Sequence, residues 1–312
     1  MSSFWKDKKI LVTGGDGFIG AHVIKNLVQK RGVAKENIVV PRHEDYDLRN
    51  LDHARRAVSE CDYVIHLAAQ TGGIAYSRAY PATQYQICSM IDLNVLEAAR
   101  AAGVRKVISI GNILVYPKDS PLPFHEEGVF DGKIADTHLG IGLAKRNMLY
   151  LAEMYSKEFG MDVVTVISAN AYGPGDRFDP QISHVIPATI IKCSQLSEIV
   201  VWGDGSPTRD FLYVEDIAEG LLLAGEKLEG CQFVNIGSEK EVSIRDLVHL
   251  IAKLMDYKGV ISFDSTKGGG DPRRVACTDK AKTLLGFRPE VDLESGLKRT
   301  IEWYRSWVAQ KT

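Results

Sequence analysis

The chain has 312 residues, 45% of them apolar and 25% charged, an ordinary globular balance that excludes disordered and fibrous classes. Its 38 Lys and Arg against 40 Asp and Glu leave a formal charge of −2, so no global field recruits nucleic acid or an anionic membrane. Five widely spaced cysteines (Cys61, Cys88, Cys193, Cys231, Cys277) contain no Cys-x-x-Cys pair, which argues against structural zinc or a disulfide framework and for a reducing cytoplasm. The polar start Met1–Lys9 shows no signal peptide, and no apolar run of ~18 residues follows to span a membrane.

Lys9-Ile-Leu-Val-Thr13 reads as a short strand that breaks into glycines. Ile19, Val23, Ile24, Leu27 and Val28 then recur at helical spacing. Asn37–Val40 is a second strand stopped by Pro41, and Asn50 is placed to cap a short helix through Val58. Tyr63–Leu67 is a third strand. A long helix from about Ala82 to Ala102 carries Ile87, Ile91, Val95 and Ala98 on one stripe and ends at Gly103. Strands at Lys106–Ile110 and Asp162–Ile167 flank a helix from about Leu139 to Phe159. Nearly continuous apolar strands alternating with helices predict a parallel sheet covered on both faces, a doubly wound α/β (Rossmann) fold. After Tyr172 the rhythm becomes turn-rich. The expected division is a dinucleotide-binding domain over 1–172, to which 211–236 returns. A smaller, discontinuous lobe over 173–210 and 237–312 then closes over the carboxyl edge of the sheet, where such folds bind ligands.

Thr13-Gly-Gly-Asp-Gly-Phe-Ile-Gly20 places Gly14, Gly17 and Gly20 between the first strand and the first helix, with Phe18 and Ile19 opening that helix. Gly14 permits the tight turn, Gly17 lets backbone approach a pyrophosphate, and Gly20 lets helix and sheet pack closely. In this strand–turn–helix setting the pattern predicts a dinucleotide site. Where an acidic residue after the second strand would hold the ribose of NAD, the chain reads Pro41-Arg42-His43. Arg42 can accept a 2′-phosphate, which favours NADP, with NAD as the alternative. Asp47 and Leu48 are expected by the adenine, and Leu67, Ala68 and Ala69 further along the cofactor.

Together the glycine turn, His66-Leu-Ala-Ala69, Gly142-Leu-Ala-Lys145 and Asn170-Ala-Tyr-Gly-Pro174 resemble the extended short-chain dehydrogenase/reductases. Gly72-Gly-Ile74, Ser183-His-Val-Ile-Pro187, Val201-Trp-Gly203, Pro207-Thr-Arg-Asp-Phe211, Lys258-Gly-Val-Ile-Ser-Phe-Asp264 and Asp271-Pro-Arg-Arg274 narrow the likeness to the GDP-L-fucose synthase family. That family converts GDP-4-keto-6-deoxymannose to GDP-fucose by C3/C5 epimerisation followed by NADPH reduction at C4. The resemblance implies that Trp202, Arg209 and Arg274 surround the nucleotide diphosphate and that Asn170 contacts substrate or holds its loop. It makes His184 the epimerising acid/base and implies a homodimer through the two long helices. On residue type alone, Trp202 and His184 also read as core side chains.

The resemblance also exposes gaps. The reductases of this superfamily use Tyr-x-x-x-Lys with a Ser or Thr. Here Lys145 is present, but the tyrosine position holds Ile141, the serine position Asn112, and the second epimerisation position Leu114. Isoleucine cannot donate a proton, and losing one acid/base costs roughly 10²–10⁴-fold. Asn112 retains a hydrogen-bond donor. His138, one turn before Ile141, is the nearest candidate substitute, with His125, Asp136, Thr137 and Tyr116 close in sequence. The expectation is an enzyme on a GDP-sugar with a redrawn site. The alternatives are a redox-neutral epimerase, another oxidoreductase of the same family, and a non-catalytic NADP- or sugar-nucleotide-binding protein.

Overall fold

A computed structural model describes residues 4–180, 182–266 and 271–311; Met1–Ser3 of the polar start Met1–Lys9 lie outside the described residues. In chain order the elements begin β1 (Ile10–Thr13), α1 (Phe18–Arg31), β2 (Ile38–Val39), α2 (Leu51–Val58), β3 (Tyr63–His66), α3 (Ile74–Ala79) and α4 (Pro81–Ala101). There follow β4 (Lys106–Asn112), α5 (Leu139–Phe159), β5 (Asp162–Ser168), β6 (Asn170–Tyr172), α6 (Val185–Gln195), β7 (Glu198–Trp202) and β8 (Thr208–Tyr213). The rest is α7 (Val214–Lys227), β9 (Cys231–Ile236), β10 (Glu241–Ser243), α8 (Ile244–Leu254), β11 (Val260–Asp264), β12 (Arg273–Arg274), α9 (Asp279–Leu285) and α10 (Leu293–Ala309).

Six strands form one sheet in the order β2-β1-β3-β4-β5-β9, every pairing parallel. Strands β1, β3, β4 and β5 are buried on both faces because each face is covered. Trp5, Val23 and Leu27 pack with Leu221 and Ile236 on one side, and Ala54, Val95, Leu96 and Met148 fill the other. The chain leaves β1 toward β2 and returns on the other side at β3. The carboxyl ends of β1 and β3 therefore make the switch point where such sheets bind ligands, and the glycine turn sits there.

The second lobe has its own sheet. β8 runs antiparallel to β10 and parallel to β12 and β6, while β7 and β11 pair separately in parallel. Its core joins Tyr172, Ile190, Phe211, Tyr213, Leu247, Leu297 and Ile301. This corrects one boundary of the sequence reading. Phe211–Tyr213 does not return to the large sheet; it finishes β8, which pairs with β10, β12 and β6. The return starts with α7 and ends in β9. No described helix is long and apolar enough to cross a membrane.

Candidate active site

The glycine turn has the shape that a dinucleotide needs. Gly14 has φ +66, a left-handed conformation that strains side chains other than glycine. A Cβ at Gly20 would lie 2.2 Å from the Gly14 carbonyl oxygen. The first turn of α1 follows Gly17 with no side-chain cap, leaving backbone N–H groups and the positive helix end for an anion. A pyrophosphate fits this cradle.

Around it the predicted residues divide. Arg42 stands beside the turn, its Nε 3.7 Å from the Asp16 carboxylate, both side chains largely exposed. Asp47 is paired with Arg49, which grips both of its carboxylate oxygens and holds its pKa down at about 2. Leu48 is buried, and its carbonyl accepts from Asn94. Leu67 and Ala68 are fixed by backbone N–H bonds to Thr13 Oγ1 at 3.1 and 3.2 Å.

Lys145 is 3% exposed, and its Nζ lies 3.3 Å from Asp92 Oδ1. That same oxygen is 2.9 Å from His66 Nε2. Ile141, one turn earlier on α5, is sealed in an apolar cluster with Cys88, Ala144, Ala69 and Leu114. Asn112 ends β4, and its Oδ1 accepts from Leu114 N at 3.0 Å. The amide is thereby oriented, and its NH₂ remains available as a donor.

The candidate substitute acids are held in different ways. Tyr116 is buried with its hydroxyl on Asn235 Oδ1 at 2.7 Å, and burial raises its pKa steeply. His125 is exposed on the surface. His138 is buried, and its Nδ1 accepts from Arg274 Nη2 at 3.0 Å, with Thr137 Oγ1 at 2.9 Å. Burial first, then the Arg274 charge, push its pKa down to about 4. Near neutral pH it is an uncharged ring with its proton on Nε2, and that nitrogen has no partner among the described residues.

His138 opens a basic cluster. Arg274 pairs in register with Arg209 across β12 and β8. Arg274 also binds Asp271 through Nε at 2.7 Å and through Nη2. Arg209 gives Nη1 to the Thr208 carbonyl at 2.6 Å; burial, then Arg274, lower its pKa to about 10. Two guanidiniums thus face one carboxylate in a largely dry place. Trp202, at the end of β7, is 66% exposed and is not a core residue.

His184 is exposed immediately before α6, so it is no core residue either. Its neighbour Asp176 is buried; burial raises that carboxyl while the His184 charge opposes the rise. Asp176 Oδ1 accepts from Arg177 N and Oδ2 has no partner. Asn170 gives its amide to the Asp210 carbonyl at 2.8 Å, which fastens β6 to β8.

A match to the family described as "NAD dependent epimerase/dehydratase family" spans residues 10–237. The chain belongs to that family. It is similar to GDP-L-fucose synthase 1 of Arabidopsis thaliana, 34% identical over 98% of this chain and 96% of the other. The GDP-L-fucose synthase of Escherichia coli (strain K12) is 33% identical over 95% of this chain and 96% of its own. Among solved structures, a GDP-L-fucose synthetase from Naegleria fowleri bound to NADP aligns with TM-score 0.88 at 27% identity, covering 97% of this chain and 96% of that one.

Within this epimerase/dehydratase fold, sequence reasoning missed Asp92, Asp176 and the partnership of Asp271 with Arg274. Asp92 carried a readable signal. Cys88, Asp92, Val95 and Ala99 are all buried on α4, and a carboxylate at helical spacing on an apolar face needs a buried partner.

Proposed function

We propose that the protein is a nucleotide-sugar-modifying enzyme of the GDP-L-fucose synthase type that binds NADP(H) and epimerises a GDP-linked 4-keto sugar. The carrying observation is the Arg209–Arg274–Asp271 cluster beside neutral His138, whose excess positive charge favours a bound diphosphate. Guanidinium forks match phosphate oxygens, and exposed Trp202 offers a flat face to a base. The curated relatives named for GDP-L-fucose synthesis support the choice of sugar nucleotide.

Gly14, Gly17, Phe18, Ile19 and Gly20 would hold the pyrophosphate of the dinucleotide, Leu67–Ala69 and Lys145 its far half, and Arg42 a 2′-phosphate, which selects NADP over NAD. When bound, that cofactor supplies or accepts a hydride. Proton chemistry falls to this chain's own residues. His184 takes the proton from one face of the carbon beside the ketone, with Asp176 behind it, and a solvent water on the opposite face, where Leu114 replaces the implied cysteine, returns a proton to invert the centre. Asn112 Nδ2 and the Lys145 ammonium donate to the ketone oxygen as it gains enolate charge.

A reduction would also need an acid for the new alkoxide. Ile141 stands where the resemblance implies a tyrosine and Leu114 where it implies a cysteine. Tyr116 is bound to Asn235 and His138 to Arg274. This favours redox-neutral epimerisation, and it also fits a protein that binds both ligands without turnover. Exposed Tyr85, Met90 and Leu93 on α4, with Leu143, Tyr150 and Met154 on α5, support a homodimer through these helices; light scattering that gives a monomer would contradict it.

Titration with GDP and UDP, followed by tryptophan fluorescence, tests the ligand. GDP should quench Trp202 and bind about tenfold or more weakly to Arg209→Ala, the scale of a lost charged hydrogen bond. Equal, weak binding of both nucleotides would overturn the assignment.

A further inference from the structure

Asp92 occupies a fully buried place on α4, yet side chains from β3 and α5 converge on it. The hydrogen bonds around it fix the position of each proton. Thr13 Oγ1 accepts N–H groups from Leu67 and Ala68, which uses both its lone pairs. Its own hydrogen therefore points to His66 Nδ1, 2.7 Å away. The imidazole proton is then on Nε2 and is donated to Asp92 Oδ1 at 2.9 Å. Lys145 gives one N–H to the same oxygen at 3.3 Å and keeps two without partners among the described residues. Burial alone would raise the Asp92 carboxyl, but Lys145 and His66 outweigh it and lower the pKa, so this carboxylate is charged. Its Oδ2 is buried and unpartnered.

We propose that Asp92 is a positioning residue: it holds the Lys145 ammonium in place and ties it, through His66 and Thr13, to the phosphate-binding turn. Thr13 immediately precedes Gly14, so one buried chain of hydrogen bonds runs from the residue that opens the turn to the lysine on α5. This rests on the reading that the turn and Lys145 serve the same dinucleotide. The carboxylate is the buried counter-charge of this ammonium, and without it the two unpartnered N–H groups lose their fixed aim. An asparagine would preserve shape and packing while removing the charge, which separates positioning from support of the fold.

NADPH binding measured by fluorescence, with melting temperatures, on the full chain and four variants tests this. Asp92→Asn should weaken NADPH by about tenfold or more, and Asp92→Glu should recover it to within about threefold, because the charge is restored. On a Lys145→Met background, Asp92→Asn should change binding less than about twofold, since its action passes through the lysine. The double variant should also melt above Lys145→Met alone, which leaves an ionised carboxylate buried without its cation. Wild-type affinity in Asp92→Asn, or an equal loss on both backgrounds, would overturn the proposal. A wild type that binds neither NADPH nor NADH would overturn the dinucleotide reading instead. The melting temperatures then decide the pairing alone, and additive shifts would sink it.

Discussion

Arg274 donates Nη2–H to Nδ1 of His138 at 3.0 Å across 136 residues of chain, and that contact adds to burial in keeping the ring uncharged. A nitrogen that accepts from a guanidinium resists protonation. The folded-state pKa, pushed to about 4 by burial and Arg274, lies below the ordinary 6.5. Between those values the unfolded chain binds the proton and the folded one does not. Stability from this group is complete above pH 6.5 and is lost as pH falls toward 4, a loss on the order of 1–3 kcal/mol.

His138→Gln should therefore flatten the acid limb. Urea unfolding at pH 7 and pH 4.5 should show the wild type losing more stability than the variant. Carboxylates titrate in both proteins and cancel in the difference. Parallel losses would mean that His138 is charged in the folded state.

The cradle gives a second expectation. Gly20→Ala would drive a methyl group to 2.2 Å from the Gly14 carbonyl, backbone against backbone, so the turn must shift. NADPH affinity should fall by about a hundredfold, well beyond the roughly 1 kcal/mol helix gain of alanine over glycine. Isothermal titration checks it; unchanged affinity would place the cofactor elsewhere.

Ile141 gives a third. Ile141→Tyr puts a phenol one helical turn before Lys145, inside the cluster of Cys88, Ala144, Ala69 and Leu114. Overpacking there should cost about 1–3 kcal/mol of stability. With Asn112→Ser added, NADPH oxidation with a 4-keto GDP-sugar should rise by about 10²-fold or more, the usual worth of one acid/base. A double variant that folds, binds both ligands and shows no gain would mean that the missing tyrosine does not limit reduction.

Short-range features were legible. The glycine turn and the alternation of strands and helices are local, and the large sheet followed from them. Trp202 stays open between core and site on residue type, although β7 alternates Glu198, Val200 and Trp202 outward with Ile199 and Val201 inward, a period-two signal that points the ring outside. Phe211-Leu212-Tyr213 was not legible, because an apolar run reads alike whichever sheet it joins. Nor were the polar partnerships. Asp92 meets His66 and Lys145 from 26 and 53 residues away, and only the folded chain shows that Arg274 donates to His138.

The most direct test of the central claim follows GDP-4-keto-6-deoxymannose with the protein and NADPH in deuterated water by mass spectrometry. Deuterium entering at C3 or C5 while NADPH remains intact is the predicted result, and His184→Asn should abolish it. Stoichiometric NADPH oxidation with a reduced sugar, or no exchange despite tight binding of both ligands, would contradict the account.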